Sequence, residues 1–159
     1  MDIDNGLFKD FNLLLMENKA FKIERTYAAP IAKVWEAITD KDEMKLWYFD
    51  LPEFKPQVGC EFQFWGGPAE DRQYKHLCRV EEVIPNQKIA YSWRYEGYTG
   101  NTLVSFNLSE TDGQTTVVLT HEGLETFPED EPDFARKNFE EGWTWIIGTS
   151  LKEYFEKNV

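Results

Sequence analysis

The strongest constraint on this chain is the alternation between residues 58 and 122, where five short runs switch apolar and polar side chains at a period of two. The runs lie at about 58–65, 73–84, 88–96, 101–110 and 114–122, separated by the turn-prone segments GGPAEDR, PNQ, EGYTG and TDG. Links this short join neighbouring antiparallel strands, so the middle of the chain is predicted to be a meander. The period changes on both sides. Upstream, a strand over 20–28 meets Pro30, and Ile31, Val34, Trp35 and Ile38 then recur on one face of a helix over 30–39. A second short helix opens near Asp40, where Asp40 and Glu43 resemble a capping box, and closes at Trp47. Downstream, the loop FPEDEP leads to a longer helix with the apolar stripe Phe139, Trp143, Ile147, Leu151 and Phe155. Glu129, Asp130, Glu131 and Asp133 are expected at its start, where negative charge suits the helix dipole. The expected fold is α+β, an antiparallel sheet curved around the C-terminal helix with a pocket between them.

A length of 159 residues fits one domain, which hides roughly 70% of the extended chain's surface on folding. With 42% hydrophobic and 16% aromatic residues, the composition is globular and rich in large rings. A net charge of −12 argues against nucleic acid and anionic membranes as partners, because both repel an acidic surface. The opening MDIDNG lacks the basic segment of a secretion signal, and LLLM is too short to span a bilayer. The expectation is a cytoplasmic, bacterial-type protein whose two cysteines, Cys60 and Cys78, are free thiols. Residues 1–19 read as an extension ahead of a domain over 20–159, with Leu7, Phe8, Phe11, Leu14 and Leu15 on one helical face. Met16 offers an alternative start, and the sequence leaves the oligomeric state open.

Fixing the centre of each hairpin fixes which residues share a face. A first hairpin centred near Ala69 sets Phe62 against His76, Phe64 against Tyr74 and Cys60 against Cys78. A second, centred between Asn86 and Gln87, sets Ile89 against Ile84 and Trp93 against Val80, unless a bulge near Glu82 slips the register. A third, near Tyr98, sets Tyr91 against Phe106. The TDG turn sets Phe106 against Leu119, Val104 against His121 and Leu108 against Val117. One face is then apolar and aromatic, while Glu61, Gln63, Lys75, Arg79, Glu81, Ser92 and Arg94 lie on the other.

The segments RTYAAPIAKVWEAITDKDEMKLWY, VEEVIPNQKIAYSWRY, THEGL and NFEEGW, taken in this order over about residues 20–157, resemble the family named for activators of the heat-shock-protein-90 ATPase. That family lies within the START-like, helix-grip superfamily. The resemblance implies a sheet wrapped around a long C-terminal helix, with two small helices after the first strand. It also implies a chaperone as a possible partner. Known activators carry a further N-terminal domain for which this chain has no room, so ligand binding is the leading expectation.

The inward face supplies the candidate ligand-binding residues Trp47, Phe62, Phe64, Tyr74, His76, Tyr91, Trp93, Phe106, Leu119, His121, Trp143 and Ile147. Tyr74, Tyr91, Trp93 and Trp143 bring polar tips to an apolar space, which suits a small hydrophobic molecule oriented by one or two hydrogen bonds. His76 and His121 are the candidates for acid–base chemistry, although no carboxylate is placed beside either. Cys60, Cys78 and His76 lack the close pairing of a metal site, so neither metal nor cofactor is expected. Gly142 and Gly148 sit within a helix, where glycine costs up to about 1 kcal/mol and commonly permits a close approach. GGPAEDR and EGYTG are candidate lids, and Arg25, Arg72, Arg79 and Arg94 are candidates for the entrance. The alternatives are a co-chaperone-like interaction domain and a cyclase or hydrolase that uses a cavity histidine as its base.

Overall fold

A computed structural model describes residues 20–157. The extension predicted over residues 1–19 therefore lies outside the described residues. Six antiparallel strands form one sheet: β1 (Phe21–Tyr27), β2 (Glu61–Ala69), β3 (Arg72–Ile84), β4 (Lys88–Tyr95), β5 (Thr102–Thr111) and β6 (Gln114–Glu122). Their order is β1-β6-β5-β4-β3-β2, so the meander is continuous and β1 closes against β6. Two short helices follow β1, α1 (Ile31–Thr39) and α2 (Lys41–Trp47). The Asp40 carboxylate caps α2 by accepting the N–H groups of Asp42 and Glu43 at 2.8 and 3.3 Å. The Glu43 carboxylate accepts the Tyr154 hydroxyl, which ties α2 to the end of the chain.

The C-terminal helix comprises α3 (Arg136–Trp145), a π-helical stretch (Ile146–Ser150) and α4 (Leu151–Lys157). The backbone stays right-handed helical across both junctions, at Ile146 and at Leu151. The sequence explains the π turn. Trp143, Ile147, Leu151 and Phe155 are each four residues apart, and on an α-helix such a spacing drifts around the axis by about 40° per step. A wider turn removes that drift, and all four side chains are buried. Two contacts hold the turn: the Tyr27 hydroxyl donates to Ile147 O at 2.6 Å, and Ser150 Oγ donates to Trp47 O at 2.6 Å. No helix among the described residues is long and apolar enough to cross a membrane.

The inward face matches the alternation, with Tyr91, Phe106 and Leu119 each no more than 2% exposed. The register of β5 with β6 is the one expected, including Phe106 opposite Leu119 and Val104 opposite His121. Two other ladders slide by two residues. Phe62 faces Cys78 and Phe64 faces His76, with an irregularity between Gly66 and Ala69, while Tyr91 faces Val104 rather than Phe106. A shift of two keeps each side chain on its face, so the core residues survive the error. The cysteines are not opposite one another. Cys60 O instead accepts the Val80 N–H, and both thiols are free.

Between β3 and β4 the bulge lies at Val80 and Glu82. It corrects two expected pairs, since Ile89 faces Val83 and Trp93 faces Cys78. Between bulge and turn the faces are inverted, which leaves Ile84 39% exposed. Most of GGPAEDR is strand rather than loop, because β2 runs to Ala69 and β3 begins at Arg72. The acids before the last helix are also not in its first turn. Helix α3 starts at Arg136 behind Ala135, and Glu131 instead caps the short 3-10 turn Pro132–Phe134 by accepting the Asp133 N–H.

Candidate functional site

The inner ends of β3 and β4, the Pro132–Phe134 turn and helix α3 enclose a cleft of about 570 Å³. Strand alternation sets one wall: Tyr74 and His76 of β3 and Trp93 and Tyr95 of β4 all point inward, with His76 opposite Tyr95. Phe49, just after α2, completes that side, and Phe134, Phe139, Trp143 and Ile146 form the other. Arg72, Glu141, Gly142 and the Gly67–Pro68 stretch are exposed and make the rim. Gly142 faces open space, since a Cβ added there meets nothing within 4 Å.

His76 is 6% exposed. Its Nδ1 lies 3.0 Å from Tyr74 O, and because a carbonyl only accepts, the ring proton sits on Nδ1. The ring stacks on Phe64 at 4.3 Å and meets Tyr95 and Trp93 edge-on at 4.6 and 4.9 Å. Burial pulls its pKa down to about 4, against the smaller opposing effect of the Tyr74 and Phe64 carbonyls. It is therefore neutral at pH 7.

His121 is fully buried and both of its nitrogens are committed. The Trp143 indole donates to Nδ1 at 3.0 Å, and Nε2 donates to Thr102 Oγ1 at 2.8 Å. Thr102 in turn donates to Trp93 O at 2.6 Å. Burial lowers the pKa of His121 to about 3. With its only lone pair engaged by Trp143, it acts as a bridge from helix to sheet rather than as a base. At the rim, Asp133 accepts the Tyr74 hydroxyl at 2.6 Å and pairs with Arg72 at 3.5 Å. That contact links the β2–β3 hairpin to the turn before α3.

Of the twelve side chains selected from sequence, Tyr74, His76, Trp93 and Trp143 meet at the cleft. The other eight lie in the packed interior. Trp47 donates to Ala37 O at 2.9 Å, Phe62 and Phe64 pack against Tyr91 and His76, and Tyr91 shares a hydroxyl contact of 2.7 Å with Tyr48. Phe106, Leu119, His121 and Ile147 are each at most 2% exposed. Among the arginines, Arg72 reaches the rim, Arg25 covers Gly148 so that a Cβ added there would lie 3.6 Å from its Nε, and Arg79 and Arg94 border a separate polar groove. Of the two candidate lids, Gly66, Gly67, Pro68 and Arg72 of GGPAEDR border the cleft, whereas the EGYTG turn packs Tyr98 against Tyr74 and Phe134 without lining it.

Tyr95, Phe49, Phe134 and Phe139 are lining residues the sequence reading passed over. Tyr95 shares the parity of Trp93 and was within reach of the same alternation argument. Phe49 and Phe134 lie in segments without a period, whereas Phe139 heads the helical stripe and was not carried into the candidate set.

A curved antiparallel sheet closed by a C-terminal helix, with a cleft between them, defines a helix-grip domain. Residues 28–156 match the family described as activator of Hsp90 ATPase homolog 1-like protein, and the chain belongs to that family. No match was found among curated proteins. Solved structures share the fold. Mll3558 from Rhizobium loti aligns with a TM-score of 0.74 at 22% identity, over 85% of this chain and 95% of its own. DynU16, a protein in the dynemicin biosynthetic locus, aligns with a TM-score of 0.71 at 20% identity over 88% of this chain, which spans 48% of that protein's length. CalU16 from Micromonospora echinospora aligns with a TM-score of 0.65 at 22% identity, over 86% of this chain and 75% of its own.

Proposed function

We propose that this protein is a non-enzymatic binding module for a small, mainly apolar molecule held between the sheet and helix α3. The observation that carries this reading is the cleft itself: its volume of about 570 Å³ suits one small ligand, and its walls are mostly aromatic. Gly142 supports it, since a helix that gives up a side chain at a position lining this space keeps the space open. A ligand that hides about 300 Å² of apolar surface gains about 7 kcal/mol before association costs, consistent with micromolar binding. His76 and the rim hydroxyl of Tyr74 supply the orienting polar contacts. A small-molecule role also agrees with the placement of DynU16 in a biosynthetic locus.

The test is Gly142→Leu. A Cβ at this position meets nothing within 4 Å and leucine improves helix propensity, so the variant is expected to fold, with its melting temperature as the check. Apolar compounds that raise the wild-type melting temperature are expected to lose that effect in the variant. Equal stabilisation of both proteins would remove the cleft as the binding site.

A further inference from the structure

We infer that the cleft selects for charge, taking amphipathic molecules with a cationic head at the rim and an apolar body inside, and that Glu141 is the residue setting this preference. The inference rests on the binding-module reading and adds the ligand's chemical class.

Three charged side chains line the cleft: Arg72, Asp133 and Glu141. Arg72 is matched by Asp133, which is itself held by Tyr74. Glu141 precedes Gly142 at the opening, and no hydrogen bond or ion pair engages it among the described residues. The lining therefore carries one uncompensated negative charge. His76 adds no positive charge at neutral pH, because burial keeps it neutral.

The walls act in the same direction. Trp93, Tyr95, Phe134, Phe139 and Trp143 line the cleft, and an aromatic ring attracts a cation over its face where it repels an anion. The whole protein, at −12, adds a field of the same sign. An anionic head would meet Glu141 with no free arginine to receive it, since the remaining cation at the rim is already paired.

The experiment titrates fluorescent 1-pyrenemethylamine, 1-pyrenemethanol and 1-pyreneacetate against the wild type, Gly142→Leu and Glu141→Gln. These probes share the pyrenylmethyl body and differ only in the head group, which is cationic, neutral or anionic. Binding lost in Gly142→Leu is assigned to the cleft, which separates it from adhesion of the amine to the acidic surface. For that component the amine is expected to bind at least about tenfold tighter than the acetate, with the alcohol between them. Glu141→Gln is expected to cut the amine's advantage over the alcohol by about threefold. Acetate binding as tightly as the amine, or an amine-to-alcohol ratio that Glu141→Gln does not alter, overturns the inference while leaving the binding module intact. No cleft-dependent binding by any of the three probes overturns both.

Discussion

Trp143 donates its indole N–H to Nδ1 of His121 at 3.0 Å, and this contact sets the protonation of the ring. An indole nitrogen can only donate, so Nδ1 accepts and Nε2 carries the hydrogen passed to Thr102. One chain of hydrogen bonds thus runs from α3 through β6 and β5 to the Trp93 carbonyl on β4. It joins the helix to the middle of the sheet at full burial.

Trp143→Phe removes the only donor to a buried nitrogen and part of a large buried side chain. A loss of about 2–4 kcal/mol is expected, from the unsatisfied acceptor together with the cavity. Urea unfolding measures it. A change below about 0.5 kcal/mol would mean that the ring re-pairs at no cost.

Both histidines make stability fall in acid. The sign follows from their folded pKa values, about 4 for His76 and about 3 for His121, which lie below the ordinary value of 6.5. Below pH 6.5 the unfolded chain binds protons that the native state refuses. Their contribution is complete above that pH and is lost as pH falls toward 4 and 3. At pH 5 each costs about 2 kcal/mol relative to pH 8. Urea midpoints from pH 8 to pH 5 are expected to show it, and His121→Gln is expected to flatten the slope by about one proton. A slope unchanged in that variant would contradict the assignment.

Two glycines predict opposite outcomes. At Gly142 a methyl group enters open space in a helix, so Gly142→Ala is expected to stabilise by up to about 1 kcal/mol. Gly100 has φ +109°, and a Cβ there comes within 2.7 Å of Thr126 O. Gly100→Ala is expected to cost about 2–4 kcal/mol. Melting temperatures of the pair, moving in opposite directions, check both.

Tyr27→Phe leaves the ring packing of β1 in place and deletes its bond to Ile147 O. The site is buried, so a cost of about 1–2 kcal/mol is expected by urea unfolding. Hydrogen exchange should rise first in residues 146–151, around the released carbonyl. Uniform loosening across the sheet would argue for a different origin of the loss.

The fold was legible because side-chain parity survives errors that register does not. Phe62 and Phe64 point inward although their partners differ from expectation by two residues, since a displacement of two returns each to its own face. Ile84 shows the limit: one bulged residue reverses the face, and no local signal says on which side of Glu82 the reversal begins. The site was less legible. Alternation tells which face Tyr91 and Trp93 share, not how deep each lies, and only Trp93 reaches the cleft. The bond from Tyr74 to Asp133 joins residues 59 apart, through a turn whose geometry no period encodes.

The single π turn has one more consequence, for what the chain tolerates in length. Taking one residue out of 146–150 would restore ordinary α pitch, the kind of edit a surface helix accepts freely. The π turn takes up one residue more than an α turn over the same rotation, so this deletion leaves Leu151 and Phe155 within about 20° of their present direction. The helix can thus give up a residue at the very span where its hydrogen bonding is least regular, whereas a deletion in the regular turns of α3 would swing Leu151 and Phe155 by about 100°.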